Sequence, residues 1–222
     1  MLKGRKRSNK LTAKREKHMP FFTLKEALGK KECPICYLAE RSVKMNIDNL
    51  LYENVNDVGV ARKLNESLGF CKEHSRKIAE TSEALGIAII YKRLVDQLVK
   101  HIIKSLKPMK VKPCPAHVTY TETEKRYLSL LAEHWNDLKP AFINGVLLCV
   151  PHFYKATGVF KREKEAQELR DIQVQNMMAL SDALEEFSRK HDYRYKDEPW
   201  GEEKDSWQRA VKYIINIKGD VK

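Results

Sequence analysis

Every cysteine in this 222-residue chain sits in a pair of metal-type ligands separated by two residues. The pairs are Cys33 with Cys36, Cys71 with His74, Cys114 with His117, and Cys149 with His152. No cysteine is left over, and three of the seven histidines fall into the same pattern. Two ligands with that gap bend around one ion from a knuckle or a first helical turn, and two such pairs complete the tetrahedron that structural zinc prefers. The first cysteines of successive pairs lie 38 residues apart (Cys33 to Cys71) and 35 apart (Cys114 to Cys149). Both units open with Cys-Pro, and Ile47 and Leu50 align with Leu128 and Leu131 without a gap. The pattern reads as a tandem duplication in which each copy closes its own site. The expected sets are Cys33, Cys36, Cys71 and His74 for one zinc, and Cys114, His117, Cys149 and His152 for the other.

Other uses of these residues fit less well. Disulfides are disfavoured by the odd count of five cysteines and by a chain with no export signal. An iron–sulfur cluster is the weaker metal alternative, because mixed Cys/His ligation of that kind comes with different spacing. A catalytic zinc keeps one position open for water, whereas four protein ligands are on offer for each ion here. The expected cofactors are two structural Zn2+ ions.

Glycine (9) and proline (8) are sparse, and no segment alternates polar and apolar for long, so folds of many short strands are excluded. The chain reads as all-α. Thr23 and Glu26 form a capping box for a first helix to about Lys31, Asp57 caps a helix that ends at Gly69, and each Cys pair stands at a helix start. Helix-start dipoles favour thiolate over thiol. The run 87–106 carries Tyr91, Leu94, Val95, Leu98, Val99, Ile102, Ile103 and Leu106 at helical spacing and reads as a buried stripe. A long helix follows over about 161–190 and a last one over about 202–217. The expected organisation is a basic disordered arm (1–18), a first metal-binding unit (19–106), a linker (107–113), a second metal-binding unit (114–160) and C-terminal helices that clasp both (161–222).

Formal net charge is +12, but residues 1–31 supply eleven basic side chains against Glu16 and Glu26, which leaves the body almost balanced. A basic arm without hydrophobics is a solvated tail, or an electrostatic contact for nucleic acid. The run 87–106 contains Lys92, Arg93, Asp96, Lys100 and Lys104, too many charges for a membrane span, so no membrane partner and a cytoplasmic location are expected.

The segments CPICYLAERSV, LLYENVNDVGVARKLNESLGFCKEH, LGIAIIY and EEFSRKHDYRY…EPWGEEKDSWQRAV resemble an uncharacterised family of bacterial proteins, a domain of unknown function, from about residue 20 to the C-terminus. The resemblance implies a helical fold with metal-type Cys/His motifs at these positions and no established activity.

Residues 185–209 pack Tyr193, Tyr195, Trp200 and Trp207 among Lys190, Asp192, Arg194, Glu198, Glu202, Glu203 and Arg209. Large amphipathic aromatics of this kind make a docking clasp; a polar-ligand pocket is the sharper alternative. His101 reads as a core or boundary residue, and His134 and His191 as surface contacts. No nucleophile elbow, phosphate loop or HExxH is present. The function expected is a zinc-stabilised, non-enzymatic module that binds another macromolecule. The alternatives are nucleic-acid binding through residues 1–18 and an enzyme built on the C-terminal cluster.

Overall fold

The computed structural model describes residues 17–195 and 197–214. Among them are ten α-helices, two short 3-10 turns and no strand. The helices are α1 (Met19–Ala27), α2 (Pro34–Tyr52), α3 (Val58–Ser67), α4 (Lys72–Ala79), α5 (Ala84–Lys104), α6 (Pro115–Glu133), α7 (Trp135–Ile143), α8 (Val150–Val159), α9 (Glu163–Lys190) and α10 (Ser206–Tyr213). Most of the expected arm, and the end of the last expected helix, lie outside the described residues. Lys17, at the edge of the arm, reaches Asp137 at 2.8 Å.

The fold is organised by α2 and α6, two 19-residue helices that form the most extensive contact among the described elements. Two hydrophobic clusters flank this pair, and each draws on both helices. One takes Ile35 and Leu38 from the first half of α2 with Leu128 and Leu131 from the second half of α6, and adds Leu24, Trp135, Phe142 and Leu169. The other takes Val43, Ile47, Leu50 and Leu51 from α2 with Cys114 and Ala116 from the start of α6, and adds Leu64, Ile78, Ile90 and Leu94. The two sequence units are therefore interleaved.

Several local expectations change. Thr23 does not cap α1; the helix starts earlier, at Met19, where Pro20 fixes the first-turn backbone. The Thr23 hydroxyl instead donates to the Met19 carbonyl one turn back. Asp57 does cap α3, accepting from the Val60 amide at 2.7 Å. That helix ends in left-handed backbone at Leu68 (φ 52°) and Gly69 (φ 83°). The stripe on α5 is not buried as a whole. Gly86, Ile90 and Leu94 face the body, while Val95, Val99, Ile102, Ile103 and Leu106 are exposed. Gly86 lets α5 lie directly on α2, where a Cβ would stand 2.2 Å from the Leu51 carbonyl oxygen. His134 is buried against the Phe21 ring (centroids 4.8 Å apart) rather than on the surface.

Candidate metal centres

Each of the four pairs is built the same way. Cys33, Cys71, Cys114 and Cys149 are the N-cap residues of α2, α4, α6 and α8. In every case the cysteine carbonyl accepts the amide four residues on, from Tyr37, Ser75, Val118 and Phe153 respectively. The second ligand then falls on the first turn, beside its cysteine. Four helix N-termini, with their free amides and positive dipole ends, converge on the thiolates in pairs.

The pairing differs from the one the spacing implied. Cys33 and Cys36 meet Cys149 and His152, and Cys71 and His74 meet His117. Cys114 stands beside the second group, its Sγ 3.9 Å from His74 Nδ1, although it does not come within 4.8 Å of all three members. Neither unit closes its own site: the first pair of each meets the second pair of the other. The reason is the α2–α6 contact, which carries each helix start away from the shorter helix of its own unit and toward that of its neighbour.

In the first centre, His152 Nδ1 lies 3.4, 3.2 and 3.0 Å from the sulfurs of Cys33, Cys36 and Cys149. Cys36 and Cys149 are 3.6 Å apart. Tetrahedral zinc with two or three thiolates needs ligand–ligand edges of roughly 3.5–3.8 Å, so a small inward or outward adjustment suffices. All five cysteines are free.

The protonation chemistry of the first centre also calls for a cation. Burial opposes charge on Cys33, but hydrogen bonds with Cys149, Cys36 and His152 hold its thiol well below the usual range. Cys36, facing the sulfurs of Cys149 and Cys33, is pushed far above it. Burial should lower His152, yet hydrogen bonds with Cys149, Cys33 and Glu124 raise it to about 11. Four electron-pair donors that must share protons in this way are satisfied together by one soft divalent ion.

Around these four side chains is a set of residues that the ligand-type spacing did not reveal. His152 Nε2 donates to Glu124 Oε1 at 2.8 Å, which leaves Nδ1 aimed at the sulfurs. Glu124 is itself buried and accepts from Lys155 Nζ at 2.7 Å. The Tyr120 ring stacks on His152 with centroids 6.5 Å apart. The loop that presents Cys149 is fixed by α9: the buried Gln173 accepts from the Leu148 amide and donates to the Leu148 carbonyl. Asn176 donates to the carbonyls of Phe142 and Val146. One signal for Glu124 was present. Counted from the first cysteine, it aligns with the buried Val43, so a carboxylate occupies a core position.

The second centre is more open. Cys71 Sγ lies 3.2 Å from His74 Nδ1 and 3.9 Å from His117 Nε2. His74 is buried, Cys71 half-buried and His117 exposed. Burial raises the Cys114 thiol, against the backbone amides of Cys71, Ala116 and His117 directed at its sulfur.

The C-terminal cluster is a clasp of mutually engaged charges. Lys190 pairs with Glu203 at 2.8 Å, Arg189 with Glu186 and Glu198, Arg194 with Asp192, and Arg209 with Asp205. Lys31, just before Cys33, reaches Asp205 at 2.7 Å. Tyr213 is buried in the first core cluster. Among the described residues no helix is long and apolar enough to cross a membrane.

An all-helical body with paired Cys/His groups defines the class. Within that class, the chain belongs to the family described as "Family of unknown function (DUF6062)", whose model matches residues 18–136 and 109–220. It is also similar to an uncharacterized 23.9 kDa protein in the xynA 3′ region of Caldicellulosiruptor sp. (strain Rt8B.4). The two are 23% identical over 202 residues, covering 87% of this chain and 99% of the relative. No solved structure matches the chain.

Proposed function

We propose that each Cys/His group binds one structural Zn2+ ion and that the two ions staple together a duplicated helical module whose role is to bind another macromolecule. The observation that carries this reading is the convergence of Cys33, Cys36, Cys149 and His152 within 4.8 Å of one another, drawn from two helix starts more than a hundred residues apart. Four protein donors leave no position for a substrate, and binding energy at such a site is folding energy. Under this reading the first centre is Cys3His with Zn2+, formally anionic, and Lys155 beside Glu124 offsets that charge.

The exposed stripe on α5 supports the binding role. Val95, Val99, Ile102 and Ile103 lie on one side of the helix, with the exposed Leu106 just past its end and Lys92, Lys100 and Lys104 nearby. Contiguous apolar surface with a charged border is the mark of a contact face. Pairing within the C-terminal cluster supports a clasp rather than a substrate pocket there.

Elemental analysis of purified protein tests the metal reading: two zinc per chain and no visible absorption are expected. Iron with visible absorption, or a thermal transition unchanged after complete removal of metal, would overturn it. The binding role is tested with Val99→Glu combined with Ile103→Glu, which should fold normally because both residues are exposed. A partner retained equally by wild type and this variant would remove α5 from the reading.

A further inference from the structure

Aligned on the first cysteines of the two units, Cys33 matches Cys114 and Cys36 matches His117; allowing for the three-residue difference in spacing (38 against 35), Cys149 matches Cys71 and His152 matches His74. The two centres are nevertheless unequal in three independent respects. In the first centre Cys33, Cys149 and His152 are at most 2% exposed, whereas the second is open to solvent at His117. The first has three sulfurs and the second two. The first has a carboxylate behind its imidazole; at the position matching Glu124, α2 carries Val43, which cannot accept a hydrogen bond.

We infer that the second centre is an exchangeable metal position for zinc and similar thiophilic divalent ions, while the first is a permanent staple. The inference rests on the reading that both groups bind zinc. An entering ligand reaches the second ion along the exposed edge of His117, which is also the first protein ligand able to swing into water. At the first ion the least covered ligand is Cys36, which is half-buried, whereas its counterpart His117 is exposed. Glu124 acts as a positioning residue: it fixes the His152 tautomer and raises the basicity of the liganding nitrogen. Loss of an outer carboxylate of this type costs about 10–100-fold in metal affinity. Emptying the second centre would release the start of α4 from the start of α6, both in the second core cluster, while the first centre goes on holding α2 to α8. Available zinc would thereby set the local order of one half of a protein that stays folded.

The test is zinc release from the loaded full-length protein into excess chromogenic chelator. Two phases of one equivalent each are expected, with Cys71→Ser removing the fast one. Glu124→Gln should speed the slow phase by about 10–100-fold, leave the fast phase and the far-ultraviolet circular dichroism unchanged, and be partly rescued by Glu124→Asp. A second measurement needs no variant. One equivalent of Co2+ offered to the zinc-loaded protein should give the weaker charge-transfer band of a two-thiolate site before that of a three-thiolate site. A single phase, or cobalt entering the three-thiolate site first, overturns the inequality while leaving the two-zinc reading intact. Protein that binds no zinc at either centre overturns that reading and the inference with it.

Discussion

The hydroxyls of Ser42 and Thr123 meet at 3.0 Å, and each residue stands nine positions beyond the first cysteine of its unit. Contact between matching positions is what a two-fold relation imposes, as in an isologous interface between identical subunits. The same relation appears in the cores, where the first half of each long helix joins the second half of the other. It accounts for the exchanged Cys/His pairs: two units that pack as partners bring their pairs to each other.

The exchange is testable by stoichiometry. Cys33→Ser with Cys149→Ser should leave one zinc per chain, because both residues serve one ion. Cys33→Ser with Cys71→Ser should leave none firmly bound, because each change damages a different centre. Native mass spectrometry distinguishes the outcomes, and the opposite result would restore pairing within units.

Phe142 is fully buried and packs against Trp135 with ring centroids 5.4 Å apart. Phe142→Ala should cost about 3–5 kcal/mol by loss of transfer energy and creation of a cavity. Denaturant unfolding of the metal-loaded protein measures it, and a loss below about 1 kcal/mol would show that α7 is not part of the cooperative core.

Gly86→Ala should destabilise the protein even though alanine is the better helix former by about 1 kcal/mol. The added Cβ would meet backbone, the Leu51 carbonyl oxygen, and α5 would have to move off α2. A net loss of about 1–3 kcal/mol is expected, read as a lower thermal midpoint. A raised midpoint would mean that α5 does not rest on α2 at this point.

The clasp should respond to acid in a defined window. The Gly201 amide and the Lys190 ammonium hold the Glu203 carboxyl down at about 2, against an ordinary 4.5. A carboxyl lowered in the folded state contributes stability above its unfolded value and loses it as pH falls through its folded value. The difference in thermal midpoint between wild type and Glu203→Gln should therefore be constant above about pH 4.5 and shrink toward pH 2. A difference that does not change over that interval would remove Glu203 from the clasp.

The candidate Cys/His pairs could be read from the chain because their spacing repeats, and the helices because those pairs, Asp57 and Gly69 punctuate them. Which pairs meet could not be read. Ligand spacing is a local property, whereas partner choice depends on how α2 packs on α6, and the same apolar pattern suits either arrangement. Glu124 illustrates the same limit: in the run TETEK it looks like any exposed helix glutamate, its alignment with Val43 hints only that the position is apolar, and its partner, the buried Nε2 of His152, is visible only in the fold. The α5 stripe failed in the other direction, since helical periodicity marks an apolar face without saying whether this chain covers it.

The exchanged ligand pairs also give the two sites a nested order along the chain. Residues 71–117 lie wholly inside the span 33–152, as an inner bracket lies inside an outer one. A ribosome adding about 5–20 residues each second delivers all four ligands of the inner site first. Cys33 and Cys36 are by then already made, and they wait as bare thiols until Cys149 and His152 emerge. During synthesis Cys33, which ends almost fully buried, and Cys36, which ends half-buried, are the cysteines longest open to oxidation or to the wrong metal.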